Sequence, residues 1–278
     1  MPELPEVETI RSQLEPHVLG RTFSHIKITD TRPLQNLKVE EFCTRIIGRK
    51  ITGLGRRGKY LIFNLSGGLN LVVHLRMTGA LLWNPRGQEP FTRLEFSFEE
   101  GSRLVYTDVR RFGTMYLTRD AEKITARLGA EPLSNRFTPA SLAKIFSSRS
   151  TPVKTALLNQ RLIAGIGNMY ADEALWAARI HPLRPASSLS KEEITRLHHA
   201  VRSVLEKAIK NKGASVRNYR GADGAAGRAH TEFAVAHRLG QRCPRCGTPV
   251  ARIVVGQRGT YYCPKCQTSD NIFKKVSR

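Results

Sequence analysis

The sequence predicts an α+β chain with a strand-rich first half, a helical second half and a small four-cysteine module at the end. Three observations predict it. Between Thr22 and Leu117 short apolar runs alternate with turn residues, the pattern of strands. Beyond Pro139 the apolar spacing changes to the helical period. From Arg242 onward the chain carries two Cys-x-x-Cys pairs, a metal-ligand spacing.

Pro5 suits a first helical turn, and Val7, Ile10 and Leu14 then fall on one face of a helix. Tyr60–Leu65 and Leu69–Leu75 are apolar runs separated by Ser66, Gly67 and Gly68, which reads as a hairpin. Leu94–Phe98 alternates strictly, and after Glu100 and Gly101 the chain resumes with Leu104–Tyr106. Strands of this length and spacing fit a sandwich or a barrel. The breaker-rich stretch 131–138 reads as a linker. Helices are predicted at Pro139–Phe146, Val153–Asn159, Asn168–Ala178 and Lys191–Lys210, followed by a glycine- and alanine-rich loop over 213–230. The predicted domains are therefore 1–130, 139–240 with that loop, and a metal module over 241–278.

Charge narrows the function classes. Forty-five Lys and Arg face 23 Asp and Glu, a net charge of +22 in 278 residues. Self-repulsion of that size is tolerated when a polyanion neutralises it, so nucleic acid is the expected partner. An anionic membrane is the weaker alternative. The longest apolar stretch, Leu69–Leu75, is interrupted by Asn70 and His74 and is too short to span a bilayer. The opening Met1–Glu8 carries three glutamates, unlike the basic start of a secretory leader. The expectation is a soluble, cytoplasmic, monomeric protein.

Cys243, Cys246, Cys263 and Cys266 form a four-thiolate set with sixteen residues between the pairs. A hairpin of that length brings the two turns together tetrahedrally around one Zn2+. With no open coordination position, the zinc is expected to be structural. From Gln241 to Arg278 eight Lys or Arg stand against one acid, Asp270, so the module is a basic finger. Arg258 falls at the hairpin tip, where it either reaches a phosphate or is solvated surface. Cys43 is left over and reads as a lone buried thiol.

The amino terminus carries the chemistry. Removing Met1 exposes Pro2 as a secondary amine, and an α-amino group titrating near pH 8 is roughly a tenth neutral at pH 7. Such an amine can attack a sugar C1′ and form an iminium, with Glu3 and Glu6 close enough to handle protons. By itself an amino-terminal proline is weak evidence.

The run Pro2-Glu-Leu-Pro-Glu-Val-Glu-Thr9 resembles the start of the bacterial formamidopyrimidine-DNA glycosylases. So do Arg56-Arg-Gly-Lys-Tyr60, His74-Leu-Arg-Met77, Tyr106-Thr-Asp-Val-Arg-Arg-Phe-Gly113, Gly165-Ile-Gly-Asn-Met-Tyr170 and the cysteine tail, in the family's order along nearly the whole chain. The resemblance implies a β-sandwich amino half, a helix–two-turns–helix carboxyl half and a zinc finger. It also implies excision of oxidised purines, above all 8-oxoguanine and formamidopyrimidines, from double-stranded DNA, and cleavage of the abasic strand by β,δ-elimination. Pro2 is then the nucleophile and Glu3 the acid that protonates the deoxyribose ring oxygen. Lys59 is a lesion-side lysine, and its alternative is a surface lysine at a strand end.

An enzyme that everts a base leaves a gap in the stack. Met77, Arg110 and Phe112 match the family's gap-filling positions, although Met77 and Phe112 could equally be sandwich core. Asn168, between glycines and a helix, reads as an N-cap beside a docked phosphate, on a basic face continued by Lys154, Arg161 and Arg258. Glu6 and Glu173 are supporting acids or plain helix-face charges.

Three departures bear on specificity. Phe91-Thr92-Arg93 stands where many relatives carry a histidine pair. Ala236-His237-Arg238 replaces a Tyr-Gly-Arg run. The lesion-capping loop Asp223-Gly-Ala-Ala-Gly-Arg-Ala-His230 lacks the usual aromatic. An endonuclease-VIII-like enzyme for oxidised pyrimidines would share Pro2 and Glu3 but carry Gly where this chain has Leu4. The remaining alternative is a non-catalytic zinc protein that binds damaged DNA.

Overall fold

The computed structural model describes residues 1–216 and 218–268. They group into two compact units, Met1–Ala126 with Asn211–Arg228, and Arg127–Lys210 with the described residues from Ala229 onward.

The first unit opens with α1 (Leu4–Val18), β1 (Phe23–Ile28), α2 (Val39–Ile46), β2 (Ile51–Arg57), β3 (Tyr60–Leu65) and β4 (Leu69–His74). It continues through β5 (Gly79–Trp83), β6 (Thr92–Phe98), β7 (Arg103–Asp108), β8 (Thr114–Thr118) and α3 (Ala121–Thr125). The strands form two four-stranded antiparallel sheets, β1-β6-β7-β5 and β2-β3-β4-β8. Two separate sheets settle the sandwich-or-barrel alternative in favour of the sandwich. Alternation explains the layering. In β6 Leu94, Phe96 and Phe98 point inward while their neighbours are half-buried. They meet Phe63, Leu71 and Val73 of the other sheet in one apolar cluster, which the Val7, Ile10 and Leu14 face of α1 joins. The Ser66–Gly68 turn joins β3 to β4 with Leu65 opposite Leu69, so the predicted hairpin is present. Cys43 lies on α2 against this core, half-buried rather than fully buried, and burial raises its pKa.

The second unit contains α4 (Pro139–Phe146), α5 (Val153–Leu158), α6 (Asn168–Ala178), α7 (Lys191–Lys210) and the hairpin β9 (Ala251–Val255) with β10 (Arg258–Tyr262). Thr138 and Ser141 form a reciprocal cap at the start of α4, and Pro139 sits in its first turn. Helix α5 ends one residue earlier than its predicted Asn159.

Two boundary expectations change. The breaker-rich 131–138 stretch is not a free linker but packs within the second unit. Phe137 is buried, its carbonyl lies 2.8 Å from His198 Nε2, and Arg202 donates to the carbonyls of Pro132 and Ser134. The loop assigned from sequence to the helical domain belongs mostly with the sandwich, because Asn211–Arg228 groups with the first unit. Among the described residues no helix is long and apolar enough to cross a membrane.

Candidate functional site

In the first unit the site begins at the amino end of α1. Pro2 is buried immediately ahead of the helix, with the exposed Met1 on its nitrogen. Glu3 is the N-cap and Glu6 the third helical residue, and they cap one another. The Glu3 carboxylate accepts from the Glu6 amide, and the Glu3 amide donates to Glu6 Oε2 at 2.7 Å. The other Glu6 oxygen, Oε1, accepts the amide of Ala214 at 2.8 Å, and Tyr219 O–H donates to the Glu6 carbonyl at 3.4 Å. Gly213 is required beside it: its φ is +76°, and a Cβ there would stand 2.9 Å from Glu6 Cγ and Oε1. Both acids are buried, so Glu6 is no helix-face charge; it ties the amino terminus to the base of the 213–228 loop.

Lys59 occupies the two-residue turn joining β2 to β3, where Gly58 supplies a φ of +55°. It is 6% exposed, which rejects the surface-lysine alternative. Its charge is felt across the hairpin at His74, paired with Tyr60. Burial, then the charges of Arg76 and Lys59, lower the His74 imidazole from 6.5 to about 3, so the ring is neutral at physiological pH. His74 Nδ1 accepts the Arg76 amide at 3.0 Å, which leaves the ring proton on Nε2. His74 lies inside a motif read from the sequence but was not singled out there, since only burial beside two cations marks it.

Met77, Arg110 and Phe112 lie on loops at the strand ends. Met77 is 38% and Phe112 51% exposed, so neither belongs to the core. Arg110 is exposed and stacks its guanidinium 4.7 Å above the Phe112 ring. Asp108, fully buried, organises this loop. Its carboxylate accepts from Thr78 Oγ1, from Tyr106 O–H at 3.0 Å, and from the amides of Arg110 and Gly113 at 3.2 and 2.8 Å. Gly113 has no room for a side chain, because a Cβ would overlap the Tyr106 hydroxyl. Arg76, Phe91 and Arg111 all adopt left-handed φ of 53° to 59°, strain of the kind that gathers at functional loops. The Phe91–Arg93 departure also has a local role: Arg93 Nε donates to the Asp108 carbonyl at 2.9 Å. Asp108 lies inside the Tyr106–Gly113 motif but is not singled out by sequence, because its burial and its Thr78 partner follow only from the pairing of β5 with β7.

In the second unit α6 is the organiser. Asn168 is its first helical residue rather than its N-cap, a position that Gly167 takes without a side-chain bond. The Asn168 side chain donates instead to the Gly259 carbonyl at 2.9 Å, and its Oδ1 is buried without a hydrogen-bond partner. Lys154 is not on the basic surface. It is fully buried, with Nζ 2.6 Å from Asp172 Oδ1 and 2.8 Å from Thr260 Oγ1. Burial lifts the Asp172 carboxyl to about 7 against the pull of Lys154, and its Oδ2 accepts the Tyr261 amide at 3.0 Å. Lys154 therefore acts by fixing β10. Glu173 likewise faces inward and accepts the amides of Ala234, Val235 and Ala236 at 2.8 to 2.9 Å. Burial raises its pKa against those three donors. Of the three cations expected on the basic face, Arg161 and Arg258 are the exposed ones. Arg258 opens β10 directly after the turn Gly256-Gln257, whose φ values of 53° and 61° match a type I′ hairpin.

Among the described residues the four cysteines are the set that can hold a metal. Their sulfurs all lie within 4.8 Å of one another, with Cys243–Cys266 at 3.9 Å and Cys246–Cys263 at 3.4 Å. Tetrahedral zinc with bonds of about 2.3 Å needs sulfurs about 3.8 Å apart, so the donor set fits one structural Zn2+. Trp176 of α6 donates its indole N–H to Cys243 Sγ at 3.4 Å, joining helix and finger. The module's Asp270 and its last three cations lie outside the described residues.

Family models match in sequence along the chain: the formamidopyrimidine-DNA glycosylase N-terminal domain over residues 1–115, its H2TH domain over 128–220, and the zinc finger found in FPG and IleRS over 240–268. The chain belongs to the formamidopyrimidine-DNA glycosylase family. The formamidopyrimidine-DNA glycosylase of Chloroflexus aurantiacus is 45% identical, covering 96% of this chain and 98% of the relative. The MutM (Fpg) protein of Thermus thermophilus superposes with a TM-score of 0.87 at 44% identity, over 96% of this chain and 98% of that one. Lactococcus lactis Fpg in complex with abasic-site DNA gives a TM-score of 0.89 at 35% identity, over 96% and 99% of the two chains. Membership in the formamidopyrimidine-DNA glycosylase family accounts for the sandwich, the helical unit and the finger together.

Proposed function

We propose that the protein is a DNA glycosylase and abasic-site lyase of base excision repair that removes oxidised purines from duplex DNA. The observation that carries this reading is the reciprocal Glu3–Glu6 cap, which fixes the two residues after Met1 on a buried, rigid helix start. With Met1 removed, the Pro2 nitrogen attacks C1′ of the damaged nucleotide, and the C1′–N9 bond breaks. The electron pair leaves with the base, which takes up a proton. Glu3 gives a proton to the ring oxygen, C1′–O4′ opens, and Pro2 holds the sugar as an iminium. Loss of a C2′ proton then expels the 3′ phosphate, and the δ-elimination expels the 5′ phosphate.

The remaining residues serve binding. Met77, Arg110 and Phe112 fill the vacated stack, Arg110 meeting the unpaired base. The buried Lys59 and neutral His74 face the lesion-side phosphate, a cation and an N–H donor side by side. Asn168 and Arg258 contact the strand, and the zinc fixes the finger that presents Arg258. Working on the chromosome, the enzyme is cytoplasmic and acts as a monomer.

Borohydride trapping tests the core of this reading. Duplexes carrying 8-oxoguanine or an abasic site should each yield a covalent adduct whose protein end is Pro2. If neither duplex is trapped, the Pro2 mechanism is lost.

A further inference from the structure

The loop over 213–228 is held twice, and the second hold involves a residue that no motif singles out. At its base Glu6 takes the Ala214 amide, and Gly227 donates its amide to Ser215 Oγ at 2.8 Å. Farther along, Gln13, just past the middle of α1, grips the loop with both ends of its amide. Its Oε1 accepts the Ala222 amide at 2.8 Å, and its Nε2 donates to Asp223 Oδ2 at 2.9 Å.

The grip is built. Ala222 is 2% exposed and lies in the sandwich core cluster, and its carbonyl accepts the Trp83 amide at 2.8 Å. Asp223 Oδ1 in turn accepts the Ala225 amide at 2.9 Å, and the Gly221 amide donates to the Ala225 carbonyl at 2.8 Å. A side chain at Gly221 would push on the grip, because a Cβ would stand 2.6 Å from Gln13 Oε1 and 2.8 Å from Asp223 Oδ1. Arg220 adds an ion pair to Glu89 at 2.9 Å. The loop is therefore pinned over 220–223, while Gly224, Ala225 and Ala226 at its tip are exposed.

We propose that Gln13 is a positioning residue for base excision: it latches the capping loop in place before DNA arrives, so that an everted base meets a preformed wall. This rests on the glycosylase reading above. The loop tip carries alanines and glycines rather than an aromatic, so it has little apolar surface with which to grip a base. Its contribution must then come from where the backbone is held, and that is what Gln13 sets. An abasic sugar presents no base to the wall, so strand cleavage at a preformed abasic site does not need the latch. The two activities of one enzyme should separate at residue 13.

The test uses the full-length zinc-loaded protein and the variants Q13A, Q13E and Q13E/D223N. The readouts are single-turnover excision of 8-oxoguanine, cleavage of a preformed abasic duplex, and exchange of the Ala222 and Ala225 amides. Q13A should lower the excision rate on the order of tenfold, the size of one lost charge-assisted hydrogen bond. Half-saturation by the duplex and abasic cleavage should stay within about twofold, and both amides should lose protection. Q13E should be as slow, because two carboxylates now face each other. Q13E/D223N restores the donor–acceptor match with the polarity reversed and should recover most of the loss. Excision and abasic cleavage falling together, unchanged amide protection in Q13A, or no recovery in the double variant would each overturn the latch. The exchange measurement needs no catalysis. If the unaltered protein neither excises nor cleaves, the glycosylase reading fails, whereas amide protection still reports on Gln13.

Discussion

The two units share one way of holding a buried functional side chain and differ in a second. In the sandwich unit buried carboxylates are neutralised by backbone amides and hydroxyls: Glu3 and Glu6 by each other's amides and that of Ala214, Asp108 by Arg110 and Gly113 amides with Thr78 and Tyr106. In the helical unit Glu173 is held the same way, by the amides of Ala234, Val235 and Ala236, but a buried Lys154–Asp172 pair and the four-cysteine zinc site are added, so charge there is also balanced by charge. Amide donors are part of the fold and cannot be withdrawn while it stands. A metal can. The difference teaches that the catalytic end should be robust and the finger conditional.

Removing zinc is the strongest way to press on this contrast. Apparent metal free energies of about 10–16 kcal/mol hold such fingers folded, so a chelator should unfold 241–268 and abolish duplex affinity in an anisotropy titration. Protection of the Ala214 amide, which depends on Glu6, should survive. Loss of both would mean that the units are not independent in this respect.

Next in size is E3Q, which keeps the shape of the N-cap and removes its proton. Excision should fall by about 10²–10⁴ with duplex affinity within a few-fold, measured by single-turnover kinetics against binding. Comparable losses in both would move Glu3 from chemistry to structure.

A smaller effect comes from His74. Its folded pKa of about 3 lies below the ordinary 6.5, so the unfolded chain binds the extra proton. The stability it supplies is full above pH 6.5 and drains away as pH falls toward 3, a few kcal/mol at most at about 1.4 kcal/mol per pH unit. H74N should flatten the acid side of a stability–pH curve obtained by denaturant titration. An unaltered curve would place the acid sensitivity elsewhere.

R258A is the mildest. It should weaken binding equally for all sequences and reduce the salt slope by about one, read from affinities at several salt concentrations. A steady slope would remove Arg258 from the phosphate contacts and leave the finger without its expected role.

The fold was legible because its signals are periodic or spaced. Alternation exposed β6, Ser66–Gly68 exposed a hairpin, and the cysteine pairs exposed the finger. What sequence could not supply was direction. Lys154 reads as one more cation on a basic face, yet it points inward, since helix periodicity does not distinguish a face toward solvent from one beneath a hairpin. Asn168 sits one residue inside the helix it was expected to cap, because Gly167 can adopt the extended cap geometry with no side chain. Asp108 and Gln13 belong to no spacing rule: Asp108 gathers the amides of an irregular turn of its own loop with Thr78 from just ahead of β5, and Gln13 meets a loop that returns from about 210 residues away. The zinc cysteines are legible from spacing alone, whereas the roles expected of Pro2, Glu3 and Lys59 come chiefly through the family resemblance.

The stacking of Arg110 on Phe112 has a consequence for the protein away from its substrate. A half-exposed phenylalanine on a loop is adhesive, and a chain at high concentration would bury it against a neighbour. The guanidinium over the ring keeps one aromatic face occupied and surrounds it with positive charge that repels other copies. The exposed ring is in this way sheathed until a polyanion draws the arginine away.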